Sequence, residues 1–111
     1  MPTNVPTETL PHSDEAERSV LGAILLDNRS FDRAQELLAA EAFYSARHRK
    51  IFAALSEMVD SGTAVDLVTL KDALSGRGDL DGCGGPAYLA SLLDGVPRSA
   101  NVEHYAKIIR E

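Results

Sequence analysis

Apolar residues recur along this chain at the three- and four-residue spacing of helix faces. Val20, Leu21, Ile24 and Leu25 share one face of a first predicted helix, which runs to Leu26. Ser13 is a suitable N-cap for it, and Asp14, Glu15 and Glu17 favour the positive end of its dipole. Asp27 and Asn28 break the pattern, and Ser30 with Asp32 starts a second helix whose Phe31, Ala34, Leu37 and Leu38 point inward. The third segment is the clearest. Ser45 caps it, Ile51, Phe52, Leu55, Met58 and Val59 form its face, and Gly62 permits a left-handed turn at its end.

After Gly62, Asp66 caps a shorter helix with Leu67, Leu70, Ala73 and Leu74 on one face, stopped by Gly76 and Gly78. Val65, Val68 and Thr69 suit a strand, but the spacing 67, 70, 74 fits a helix better than period two. Residues 79–85 read as a turn-rich loop. Pro86 then occupies the first helical position, and a helix over 87–94 presents Leu89, Leu92 and Leu93 before Gly95 ends it. Val96-Pro97 interrupts, Ser99 caps again, and Val102, Tyr105, Ala106 and Ile109 form the seam of a last helix. That helix meets the chain end at Arg110-Glu111 without a stop signal, the pattern expected of a fragment of a longer protein. The expected fold is all-α, a compact bundle of about six short helices over residues 13–111 whose stability comes mainly from packing these faces. Residues 1–12 carry Pro2, Pro6 and Pro11 and few large apolar groups, so a flexible tail is expected there.

Composition narrows the function. With 44% hydrophobic and 25% charged residues the chain has the ordinary balance of a folded domain. The longest uncharged apolar run, residues 20–26, is far too short to cross a bilayer. The N-terminus has neither the basic nor the apolar region of a secretory signal, and the single Cys83 has no internal disulfide partner, which predicts a reducing, cytoplasmic setting. Eleven Lys and Arg against 17 Asp and Glu give a net charge of −6, the wrong sign for a module that binds by displacing counterions from phosphates.

The candidate chemistry is sparse. Gly82, Gly84 and Gly85 are followed by no Gly-Lys-Ser/Thr, so they read as a turn before Pro86 rather than a phosphate cradle. His12, His48 and His104 lack metal-ligand spacing and take surface or packing roles. Cys83 is flanked by Asp81 and glycines, whose local charge raises a thiol pKa and disfavours nucleophilic use. Arg47, His48, Arg49 and Lys50 form the only basic run, read as solvated helix surface. Residues 65–95 have a helix-turn-helix look, yet Asp66, Asp72, Asp79, Asp81 and Asp94 outnumber Lys71 and Arg77 there. Tyr88, beside the Leu89, Leu92, Leu93 face, either closes the core or anchors a partner with its polar tip.

Several strings then point one way: EAERSVLGAILLD over residues 15–27, Phe43-Tyr44 followed by His48 and Ile51-Phe52, VDLVTL at 65–70, GGPAYL at 84–89, and Val96-Pro97 followed by ANVEHYA at 100–106. In this order, over about residues 11–111, they resemble the N-terminal domain of the bacterial replicative DNA helicase, the DnaB family. The resemblance implies an all-helical domain followed, in the intact family, by a helical hairpin, a linker and a motor domain that alone uses ATP and Mg²⁺. It further implies that such domains pair, that three pairs form a collar on a six-subunit ring through which DNA passes, and that the C-terminal domain of primase docks on the collar. A helicase loader is a further partner of the family. The last helix looks like the first arm of the hairpin.

The leading expectation is therefore a non-catalytic collar and primase-docking domain, working in the bacterial cytoplasm at the replication fork and using no cofactor of its own. Tyr88 and the last helix, through Val102, Tyr105 and Ile109, are the expected partner contacts. Two other classes stand beside it: a small DNA-binding module using residues 65–95, and a small enzyme built on Cys83 and a histidine.

Overall fold

The first helix, α1 (Asp14–Leu26), begins where its cap does: the Ser13 hydroxyl accepts the Ala16 N–H at 3.0 Å. The computed structural model describes residues 13–94, 96 and 102–110. Expectations for the tail at 1–12, for the stop at Gly95 and for the cap at Ser99 lie outside them. The remaining helices are α2 (Ser30–Leu37), α3 (Ala46–Asp60), α4 (Leu67–Gly76), α5 (Gly85–Asp94) and α6 (Val102–Arg110), with short 3-10 turns at Ala40–Ala42 and Asp81–Cys83. Among the described residues there is no strand, as the helical spacing predicted.

The single inward face expected for α1 was too narrow. Every residue from Ser19 to Leu25 is buried, because α1 runs through the middle of the bundle and packs on α2, α3, α5 and α6. Gly22 makes this possible. A Cβ there would overlap the Leu92 carbonyl oxygen and Val96 Cγ2, so only glycine lets α5 approach α1 this closely.

Phe31 of α2, Phe43 and Phe52 of α3 form an aromatic cluster, with Phe52 centred 5.5 Å from Phe31 and 5.0 Å from Phe43. Ile51, Leu55 and Met58 continue the buried face of α3, while Val59 is half-buried at its edge. Leu55→Ala is expected to cost about 2–5 kcal/mol, since Leu55 is fully enclosed. An unchanged denaturation midpoint would refute this orientation of α3.

Several boundaries differ from the sequence expectation for local reasons. Ser30 starts α2 as expected, but Arg29 holds the cap position and no side chain caps the helix there. Leu38 remains buried just past the helix end, but Leu37 is only half-buried. In α4 the β-branched Thr69 favours the helix instead of opposing it. The Asp66 carboxylate accepts the Thr69 N–H at 2.8 Å while the Thr69 hydroxyl accepts the Asp66 N–H at 2.9 Å, a reciprocal capping box. Gly76 still belongs to α4, and the left-handed turn comes at Gly78. The α5 helix starts one residue before Pro86, at Gly85. Finally, α6 lies across α1 and α2 with Val102, Ala106 and Ile109 inward, and Arg33 of α2 pairs with its Glu103 at 3.3 Å.

Candidate docking face and the buried cluster beneath it

Tyr44, Ser45 and His48 converge on one buried acid. Glu17, one turn into α1, is 1% exposed. Its Oε2 accepts the Tyr44 N–H at 2.7 Å, and its Oε1 accepts the Ser45 N–H at 3.3 Å and lies 2.7 Å from His48 Nδ1. Ser45 thus holds the cap position expected of it, but its own side chain does not cap. The carboxylate of Glu17 reaches across from α1 and receives the N–H groups at the start of α3 instead. Burial alone pushes the Glu17 carboxyl up. The bonds from His48 and from the Tyr44 and Ser45 N–H groups outweigh that, and the carboxyl ends below its ordinary value of 4.5.

The other ring nitrogen of His48, Nε2, faces α5, and the Tyr88 hydroxyl lies 2.6 Å from it, within hydrogen-bond distance. Burial raises the Tyr88 pKa and the Asp14 carboxylate adds to this, while Arg18 and Arg47 oppose; the net shift is upward, which keeps the hydroxyl protonated. Glu17, His48 and Tyr88 therefore tie α1, α3 and α5 in one line of hydrogen bonds. Above them the Arg47 guanidinium lies 4.4 Å from the Tyr88 ring centroid and that of Arg18 lies at 5.8 Å.

A pH prediction follows from Glu17. Its folded pKa lies below the unfolded one, so its contribution is complete above the unfolded value and is lost as pH falls through the folded value. Urea midpoints should thus drop as pH is lowered below about 4.5, and Glu17→Gln should remove that part of the dependence. A midpoint equally pH-sensitive in Glu17→Gln would assign the loss to other carboxylates.

This geometry corrects the reading of residues 47–50 as solvated surface. His48 is completely buried, Arg49 donates to the Phe43 and Tyr44 carbonyls at 2.9 and 2.8 Å, and Lys50 pairs with Asp79 at 3.7 Å. Only Arg47 and Lys50 are strongly exposed. Cys83 is also enclosed. Burial raises its thiol pKa with the Asp79 carboxylate adding to it, so the acid responsible is Asp79 and not the sequence neighbour Asp81. His104 is exposed and packs edge-on against Tyr105, far in sequence from His48, and His12 lies outside the described residues.

Of the expected partner contacts, Tyr88 and Tyr105 are half-buried with surface to offer, whereas Val102 and Ile109 are only 7% and 6% exposed. Those two side chains hold α6 against α1 and α2; the apolar group α6 shows to solvent is Ile108, 38% exposed. The spacing 102, 106, 109 was itself an inward signal. Sequence reading missed Glu17 and His48, because nothing in a linear pattern pairs an acid of one helix with a histidine of another. Gly82 lies within the 3-10 turn Asp81–Cys83, and Gly84 and Gly85 lead from it into α5 ahead of Pro86.

Comparison with known proteins agrees with the pattern of strings. Residues 9–111 match the family described as the DnaB-like helicase N terminal domain. The chain is 50% identical over 99 residues to the replicative DNA helicase DnaB of Treponema pallidum and 48% identical over 101 residues to that of Geobacillus stearothermophilus. These alignments cover 89% and 91% of this chain but only 23% and 22% of the relatives, so the chain spans under a quarter of their length. Among solved structures, the N-terminal domain of DnaB helicase from Mycobacterium tuberculosis superposes with a TM-score of 0.87 at 35% identity, covering 90% of this chain and 72% of that one.

Proposed function

Because this chain belongs to the DnaB-like helicase N-terminal domain family, we propose that it serves as the non-catalytic collar and docking domain of a replicative helicase. In this reading copies of the domain pair within a six-subunit ring, DNA passes through the ring, and the C-terminal domain of primase docks on the collar, with a helicase loader as a further partner. ATP and Mg²⁺ act in a motor domain of the intact protein, in the bacterial cytoplasm. The mechanism is geometric: docking raises the effective concentration of priming activity at the fork without new chemistry in this domain.

The observation that carries the docking half is the Tyr88 face. An aromatic ring stands half-exposed with two guanidiniums against it and its hydroxyl held by His48, and aromatic and arginine side chains dominate the energetics of protein interfaces. The outward side of α6, through Tyr105 and Ile108, is the second contact region. Direct DNA binding through residues 65–95 is disfavoured, because Arg77 is paired with Glu57 at 3.2 Å, which leaves Lys71 among five aspartates.

Calorimetric titration with the C-terminal domain of the same organism's primase tests this reading, run beside a version extended past residue 111. Binding by this chain places the docking surface within residues 13–111. Binding only by the extended version moves it outside, and binding by neither refutes the docking role.

A further inference from the structure

The cations of this domain are mostly engaged. Arg29, Arg33, Lys50, Arg77 and Lys107 each pair with a carboxylate, and Arg49 is bonded to two backbone carbonyls. Arg18 of α1 and Arg47 of α3 differ. Like Lys71 and Arg110 they form no ion pair among the described residues, although acids outnumber bases by 17 to 11, but their guanidiniums both gather on the ring of Tyr88. The ring itself is held: its hydroxyl is bonded to His48, which is bonded in turn to Glu17. Two unpaired guanidiniums from different helices thus sit on an aromatic platform fixed from beneath. Beside Arg18 a cleft of about 440 Å³ opens between α1, which lines it with Asp14, Glu15 and Ser19 as well, and Ser91 and Leu92 of α5, wide enough for side chains of an approaching segment.

We propose that Arg18, Arg47 and Tyr88 form a preorganised acceptor for a carboxylate side chain on an acidic segment of a docking protein, with Glu17 and His48 as positioning residues beneath it. The assignment to a docking protein rests on the function proposed above; the carboxylate preference does not. A guanidinium fork matches a carboxylate with two parallel hydrogen bonds. Fixing the platform in advance reduces the ordering cost of association. A nucleic-acid backbone is the weaker occupant. Recognition of a phosphate backbone needs many cations along a track, whereas this site has two, enough for one carboxylate.

The test is a side-chain NMR titration of the chain with acetylated hexaglutamate, with hexaglutamine and hexathymidylate as controls. Hexaglutamate is expected to shift the Arg18 and Arg47 Nε–H and Tyr88 ring resonances, hexaglutamine to leave them unmoved, and hexathymidylate to act more weakly. The double variant Arg18→Gln, Arg47→Gln should weaken hexaglutamate binding by roughly tenfold or more. Tyr88→Phe keeps the ring but frees it from His48. It should weaken binding by a smaller factor while the core resonances stay in place, a result that a purely structural role for the hydroxyl would not produce. Equal response to hexaglutamine, stronger response to hexathymidylate, or no shift at these three residues would overturn the proposal. The primase titration separates the two ideas. Shifts with hexaglutamate but no primase binding would remove the docking reading and leave the carboxylate site standing; primase binding with no hexaglutamate shifts would do the reverse.

Discussion

Glu17→Ala is expected to destabilise the domain by about 3–5 kcal/mol, the cost of removing one partner from a buried charged cluster. The carboxylate receives the Tyr44 and Ser45 N–H groups and lies against His48 Nδ1, so its removal leaves the buried imidazole and two part-buried N–H groups without their partner. Each unsatisfied buried donor costs about 1–3 kcal/mol, and water reaching the part-buried N–H groups would offset part of the sum. The effect also propagates. Glu17 receives the N–H groups at the start of α3, and His48 carries the line on to Tyr88 of α5, so one side chain of α1 connects three helices. Urea unfolding at neutral pH checks this, and a loss below about 1 kcal/mol would mean that water replaces the carboxylate. Glu17→Gln should fall between, because the amide retains one acceptor but turns two donors toward groups that already donate.

Phe52→Ala should have an effect of the same order, about 3–5 kcal/mol. The ring is 3% exposed and stands between Phe31 and Phe43, so truncation removes its own buried area, both ring pairs and the support of two neighbours at once. These neighbours come from α2 and from the segment entering α3, so the Phe52 ring joins both to α3. Thermal unfolding of Phe52→Ala and Phe52→Leu measures the two parts. Leucine restores most of the volume and should recover more than half of the loss, and equal losses for both would make ring geometry rather than volume the dominant factor.

Helix after helix was legible in the chain because amphipathic spacing and capping are local. Ser13, Asp66 and Gly62 act within one turn of their own position, and Phe31, Leu55, Leu70 and Leu89 declare their burial by period alone. The family was legible for a related reason: short strings in fixed order survive as patterns without any coordinates. The shortness of the apolar runs agrees with the structure, in which no helix among the described residues is long and apolar enough to cross a membrane.

What the linear pattern could not carry was any relation between helices. Periodicity states that a residue faces inward but not which partner waits there, so it placed Glu17 among dipole-favouring surface acids and His48 in a solvated basic run. Only packing α1 against α3 and α5 joins the two, because the free energy of a buried carboxylate depends on donors contributed by segments dozens of residues away. The same holds for Gly22, unremarkable in the sequence and indispensable where α5 crosses α1. It also holds for Arg18 and Arg47, ordinary surface cations until the fold sets both on one tyrosine ring.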